Sequence, residues 1–115
     1  MKKPWTVMVY MAADNDLGRF AESDLAEMEK AVQNDIINVV TLTDWPAPSK
    51  TYRYLIQNGK RKTLSSGPNI ASYKGECLSS FVRESAREFP ADRYLLVLWG
   101  HGDGIDWVNK KTIDL

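Results

Sequence analysis

The sequence has very little of what disulfide frameworks and zinc centres are made from. Its 115 residues include one cysteine, Cys77, and one histidine, His101. A single cysteine excludes an internal disulfide and any zinc site built from several cysteines, and a single histidine offers zinc no second imidazole. We therefore expect no metal and no other cofactor from these residues. A lone thiol is compatible with a reducing compartment.

The chain also lacks an excess of either charge and any long apolar segment. The 15 Lys and Arg residues balance 15 Asp and Glu residues, which removes the main electrostatic argument for a nucleic-acid or membrane-surface protein. The longest apolar run, 95–99, is far shorter than the roughly 20 residues of a membrane span. Lys2-Lys3 before apolar residues resembles the start of a signal peptide. The bulky, β-prone residues 5–10 favour a core strand instead, so we favour a cytoplasmic location over a secreted one.

What the chain does have is the composition of one ordinary globular domain, with 43% apolar and 26% charged residues. Near-continuous apolar runs predict buried strands at 5–11, 36–43 and 93–99. Apolar residues spaced by three and four predict amphipathic helices over 17–32 and 78–89. In the first helix we expect Phe20 on the buried apolar stripe and the acidic residues, including Asp24 and Glu29, on the face exposed to solvent.

A hairpin interrupts this alternation. Residues 52–57 alternate in polarity, and Asn58-Gly59 is a strong signal for the tight turn of an antiparallel hairpin that returns through 60–64. The composition of 65–69 predicts a loop. The order β-α-β-hairpin-α-β predicts an α/β fold, in which parallel strands and an antiparallel hairpin form one sheet with helices on its faces. The first crossover should be right-handed.

Open α/β sheets bind ligands outside the carboxyl ends of their strands. Three loops leave there: Asp14-Asn15-Asp16, Asp44-Trp45 and the glycine-rich segment 100–104 that contains His101. An imidazole with a pKa near 6.5 can act as a general base or acid near neutral pH. Neighbouring glycines let a substrate chain approach closely. The alternative is a surface histidine in a turn that needs glycine.

Other residues offer weaker candidates. Cys77 would be the obvious partner of His101, but we expect the second helix to begin at the edge of the sheet opposite the carboxyl end of the third strand. Cys77 should then be remote from His101 and act as a small, partly buried hydrophobe. Asp103 and Asp106 could add oxygen ligands beside His101, although their spacing matches no dedicated calcium loop.

The hairpin segment is rich in lysine and arginine. Basic residues interleaved with tyrosines can bind single-stranded nucleic acid. They are more typical of an edge strand whose charges prevent the addition of another strand. We therefore expect no nucleic-acid partner. The basic residues are Lys50, Arg53, Lys60, Arg61 and Lys62.

Three segments together resemble the clostripain family of cysteine peptidases, which belongs to the group with a caspase-like fold. They are residues 5–17 (Trp-Thr-Val-Met-Val-Tyr-Met-Ala-Ala-Asp-Asn-Asp-Leu), 24–28 (Asp-Leu-Ala-Glu-Met) and 90–102 (Pro-Ala-Asp-Arg-Tyr-Leu-Leu-Val-Leu-Trp-Gly-His-Gly). Residues 73–78 resemble the short turn that precedes the helix leading to the histidine strand. The resemblance runs from Trp5 to about Trp107, and it implies the N-terminal half of a three-layer α/β/α caspase-like sandwich. Residues 1–115 would then be a single, partial peptidase domain.

The resemblance also implies roles for residues at the site. His101 would be the histidine of a Cys/His dyad, and the Gly102 backbone N–H would contribute to the oxyanion region. Asp14, Asn15, Asp44, Trp45 and Asp103 would line the cleft. The substrate would be a peptide or protein that is cleaved after Arg or Lys. Calcium dependence and secretion are both possible because they occur among relatives.

The departure from the family pattern concerns the nucleophile. The family's Asp-Ala-Cys segment is absent from these 115 residues, and Cys77 stands in the context of the turn before the helix. We expect the cysteine strand on a second chain, or self-association through an open sheet edge, and no peptidase activity from this chain alone. The alternative is a non-catalytic binding or regulatory module that uses the same cleft. An unrelated hydrolase or metal role is a third reading.

Overall fold

A computed structural model of the chain describes residues 2–12, 18–45, 50–68 and 75–99. They form five strands and two helices in the predicted order. No helix in these ranges is long and apolar enough to span a membrane. The elements are β1 (Lys3–Met11), α1 (Gly18–Ala31), β2 (Asn38–Asp44), β3 (Lys50–Gln57), β4 (Lys60–Pro68), α2 (Gly75–Glu88) and β5 (Ala91–Trp99).

All five strands join one mixed sheet in the order β4-β3-β2-β1-β5. The strand β1 is parallel to β2 on one side and to β5 on the other. The strand β3 is antiparallel to both β2 and β4. Met11, at the end of β1, pairs with Thr43 of β2 and with Trp99 of β5. The carboxyl ends of the three parallel strands therefore share one edge of the sheet.

The two helices cover opposite faces of the sheet, because side chains alternate along a strand. On one face, Met8 and Tyr10 of β1 pack with Phe81 of α2. On the other face, Val9 and Met11 pack with Leu25 of α1. Leu25 and Phe81 are at most 1% exposed, and burying such a side chain contributes about 1.5–3 kcal/mol. The predicted α/β fold with three layers is confirmed.

The hairpin turn is also confirmed. Asn58 and Gly59 both have positive φ, 53° and 73°, as the type I′ turn between twisted strands requires. The turn is tied to the segment that follows α1, because the Gly59 N–H donates to the Val32 carbonyl at 2.7 Å. The Asn58 N–H donates to the Asn34 carbonyl at 3.1 Å.

Three local predictions are wrong. The strand predicted at 93–99 is not buried on both faces, because β5 is the outermost strand and its Leu95 and Val97 are 49% and 39% exposed. Residues 65–68 of the predicted loop continue β4, because after an irregularity at Arg53/Tyr54 they pair with residues 50–53 of β3. Phe20, which was expected on the buried stripe, is 46% exposed, because α1 contacts the sheet through Ala21 and Leu25.

Candidate functional site

The carboxyl edge of the parallel strands is the place where the predicted site residues leave the sheet. The Ala12 N–H donates to the Trp99 carbonyl at 3.0 Å, which extends the pairing of β1 and β5 to the ends of both strands. Neighbouring strands lie about 4.8 Å apart, so the chain leaves β1, β2 and β5 at three adjacent points. His101 follows the last residue of β5 by two positions.

Most of the predicted site residues lie outside the described part of the chain: Asp14, Asn15, His101, Gly102 and Asp103. The roles of these five residues in catalysis and in lining the cleft remain predictions.

Asp44 and Trp45 are the two predicted cleft residues that the structure describes. Asp44 ends β2 and is 1% exposed, and its Oδ1 accepts a hydrogen bond of 3.3 Å from the Thr51 hydroxyl on β3. The Trp45 N–H donates to the Lys50 carbonyl at 3.0 Å, and the Trp45 side chain packs on the core beneath α1. Both residues are held at the carboxyl edge by β3.

Three titratable side chains, those of Tyr10, Asp44 and Cys77, lie close together at this edge, on the face of the sheet that α2 covers. Burial raises the pKa of Tyr10, and nearby Cys77 and Asp44 raise it further. The Tyr10 ring lies 5.8 Å from the Phe81 ring, between centroids. Tyr10 is therefore a neutral, buried side chain of β1 that packs against α2.

The expectation that Cys77 lies at the opposite edge of the sheet is wrong. A crossover helix runs antiparallel to the strands that it connects. The C-terminal end of α2 consequently lies near the start of β1, where the Thr6 hydroxyl donates to the Phe89 carbonyl at 2.6 Å. The first turn of α2, with Cys77, lies at the carboxyl edge near Tyr10. The packing prediction is right, since Cys77 is half-buried against the core.

Cys77 also borders a groove of about 410 Å³ between α2 and the end of β4. Arg53 crosses this groove and pairs with Glu88 at 2.8 Å and with Glu84 at 3.9 Å. One arginine thus pairs with two glutamates beside the groove, which gives this ion-pair group a net negative charge. Across the part of the chain that the structure describes, no three His, Cys, Asp or Glu side chains are grouped so as to hold a metal ion.

A residue that sequence reasoning missed is Asp24. Its Oδ2 accepts a hydrogen bond of 2.6 Å from the indole N–H of Trp99, 75 positions away. Asp24 was expected on the solvated face of α1 and is instead half-buried. A signal was available, because Asp24 lies three positions after Ala21 and one before Leu25, at the margin of the buried stripe.

Comparison with known proteins places these features in a family. Residues 9–113 match the clostripain family. No curated protein sequence matches the chain.

Solved structures share the fold. A Bacteroides fragilis cysteine protease superposes with a TM-score of 0.78 at 23% identity, over 86% of this chain and 89% of that one. A secreted C11 cysteine protease from Bacteroides thetaiotaomicron, in complex with an irreversible peptide inhibitor, gives 0.78 at 28% identity, over 88% and 30%. An inactive zymogen C11 protease from Parabacteroides distasonis gives 0.74 at 26% identity, over 89% and 32%.

Proposed function

Because the chain belongs to the clostripain family, we propose that it is the histidine-bearing part of a cysteine endopeptidase that cleaves after arginine or lysine. One observation carries the proposal: β1, β2 and β5 end side by side, and β5 ends two residues before His101. In α/β proteins, the residues that bind ligands are typically found at such an edge. We expect this chain alone to be inactive, because the proposed nucleophile lies outside it.

In this proposal His101 acts as a general base and then as a general acid. Its imidazole takes the proton of a cysteine thiol, and the thiolate attacks the carbonyl carbon of the peptide bond. The Gly102 N–H donates to the oxyanion of the tetrahedral intermediate. The imidazolium then gives its proton to the leaving amine. Water releases the acyl group from the cysteine when His101 acts again as a base.

The nucleophile is proposed to be a cysteine outside these 115 residues. Cys77, the one cysteine of the sequence, packs in the first turn of α2 against the core. The chain spans about a third of the longer related structures and most of a shorter one. The structure leaves β5 at one edge of the sheet with Leu95 and Val97 exposed. We take this edge as the place where the polypeptide with the cysteine strand pairs, and pairing of two copies of this chain is the alternative.

The proposed substrate is a peptide with a basic residue before the scissile bond. A related secreted protease was solved with an irreversible peptide inhibitor, which supports a peptide substrate. Two of the proposed cleft residues, Asp14 and Asp103, are acidic, whereas Asp44 is buried at the end of β2. The negative charge of Asp14 and Asp103 is complementary to an arginine or lysine side chain. No resident metal is proposed, and calcium dependence is tested by adding a chelator to the assay.

The test is substitution of His101 in the assembled peptidase, meaning this chain together with the polypeptide that carries the cysteine. We expect His101→Ala to lower kcat/KM on an Arg-containing fluorogenic peptide by about 10²- to 10⁴-fold. The melting temperature should not change. Cleavage of matched peptides with Arg, Lys or Asp before the scissile bond measures the preference for a basic residue.

Cys77→Ser is the matched control, because Cys77 lies at the same edge of the sheet and carries the same functional group as the proposed nucleophile. We expect this variant to keep full activity. Loss of all turnover in Cys77→Ser would make Cys77 the nucleophile and contradict the proposed assembly. Unchanged turnover in His101→Ala would contradict the Cys/His dyad itself.

A further inference from the structure

Trp99, the last residue of β5, is held at two points that belong to different parts of the molecule. Its carbonyl oxygen accepts a hydrogen bond from the Ala12 N–H, which fixes the backbone against β1. Its indole N–H donates to the Asp24 carboxylate on α1 at 2.6 Å. The second bond has a charged acceptor, and such bonds are about twice as strong as neutral ones. The end of β5 is therefore anchored both within the sheet and from the helix layer above it.

The anchor on α1 is itself rigid. Leu25, next to Asp24 in the helix, is fully buried against the sheet. Ala21, three positions before Asp24, is also fully buried. The carboxylate that holds Trp99 thus projects from a helix that is packed on the core on both sides of Asp24.

The residues that follow Trp99 need such an anchor. His101 is flanked by Gly100 and Gly102, and glycine imposes little restriction on backbone direction. A catalytic imidazole must be held closely, since a misplacement of about 1 Å can cost about 10²-fold in rate. The local sequence therefore supplies little orientation for His101, and the nearest fixed side chain before it is the indole of Trp99.

We infer that Asp24 is a positioning residue for the peptidase: its carboxylate holds the Trp99 indole and so sets the direction in which Gly100 and His101 leave the sheet. This inference rests on the proposed function, because it assigns a role in orienting the proposed catalytic histidine. Asp24 acts through Trp99 and does not need to contact substrate.

The experiment is a double-mutant cycle in the assembled peptidase. Asp24→Ala and Trp99→Phe each remove one half of the hydrogen bond, and we expect each to lower kcat about tenfold with KM changed less than about twofold. The double variant should be no worse than the poorer single variant, since both act through one bond. Asp24→Asn keeps an acceptor oxygen and should retain kcat to within about threefold.

Glu29→Ala is the control for a merely structural effect. It removes one ion pair between α1 and Arg61 but leaves Asp24 and Trp99 intact, so it should lower the melting temperature and leave kcat unchanged. The inference is overturned if Asp24→Ala keeps wild-type kcat, if the two substitutions are additive, or if Glu29→Ala lowers kcat as much. His101→Ala separates the two proposals, because loss of turnover there with wild-type kcat in Asp24→Ala rejects this inference alone. Unchanged turnover in His101→Ala rejects the proposed function.

Discussion

The two edges of the sheet are built from opposite kinds of residue. The outermost strand on one side, β4, exposes Lys60, Lys62 and Ser65 to solvent. The outermost strand on the other side, β5, exposes Leu95 at 49% and Val97 at 39%. Charged and polar residues protect an edge against further strand addition, whereas an apolar run is typical of a strand buried on both faces. The composition of β4 is therefore typical of a solvent-exposed edge strand, and the composition of β5 is typical of a strand in the interior of a sheet.

The cause of this difference lies in the layers above the sheet. Leu96 and Leu98 pack under α2. Leu95 and Val97 alternate with them and point to the face that α1 covers. That helix contacts Trp99 at the end of β5 but otherwise packs over β1, β2 and β3, which leaves Leu95 and Val97 uncovered. The β4 edge is thus closed by charged and polar side chains, whereas the β5 edge keeps an apolar surface two residues before His101. Our proposal assigns this second edge to the partner polypeptide.

The largest expected effect is the loss of association when the β5 edge is charged. Leu95→Lys would place an ammonium group where the proposed partner polypeptide covers the apolar surface, and burying it without a partner is costly. We expect the affinity for that polypeptide to fall on the order of 10²-fold, or about 2.7 kcal/mol. Isothermal titration calorimetry measures this affinity.

The matched control on the other edge is Thr63→Lys, since Thr63 is exposed on β4 and the new charge is the same. Its affinity should change less than about twofold. Equal losses in both variants would show that overall charge governs association. Unchanged affinity in Leu95→Lys would place the partner elsewhere on the molecule.

A smaller effect is expected at the β4 edge, where Arg61 fastens the hairpin to α1. Its guanidinium donates to Glu22 and, at 3.0 Å, to Glu29, and lies 5.3 Å from the centroid of the Tyr54 ring. We expect Arg61→Ala to lower the free energy of unfolding by about 1–2 kcal/mol at pH 7, since the ion pairs form a network over an aromatic ring. Lys62→Ala, an exposed neighbour, should change it by less than about 0.5 kcal/mol.

The effect of Arg61 should depend on pH in a definite direction. The hydrogen bond from Arg61 lowers the pKa of Glu29 in the folded protein. A lowered pKa contributes stability that is complete above the unfolded value, about 4.3, and that is lost as the pH falls through the folded value. Urea denaturation at pH 7 and pH 3 should therefore show a smaller difference between wild type and Arg61→Ala at pH 3. An equal difference at both pH values would contradict the contribution of the Glu29 ion pair.

The smallest expected effect belongs to the hairpin turn. Gly59 has a φ of +73°, and an added Cβ would lie 3.2 Å from the Gln33 Oε1. Gly59→Ala should lower the free energy of unfolding by about 1 kcal/mol. Gly67 lies on β4, and a Cβ added there meets nothing within 4 Å, so Gly67→Ala serves as the control with little expected change. Equal effects of the two substitutions in urea denaturation would show that the turn conformation is not the cause.

Much of the fold was predictable from local patterns. The apolar runs predicted β1, β2 and β5, and Asn58-Gly59 predicted the turn that the structure confirms. The length of β4 was not predictable, because residues 65–68 (Ser-Ser-Gly-Pro) have the composition of a turn and become a strand only by pairing with β3. Of the site, the common edge of the three strand ends was predictable from the order of elements. The hydrogen bond of Asp24 was not.

Local sequence is enough to predict the periods of the strands and helices, the turn and the motifs that carry the family resemblance, because each of these lies within about a dozen consecutive residues. The tertiary structure alone decided which distant residues meet. Asp24 and Trp99 are brought together by the crossing of α1 over the sheet. Cys77 comes to the carboxyl edge because α2 runs antiparallel to β1 and β5. Such contacts depend on register and direction across long separations, and no local pattern encodes them.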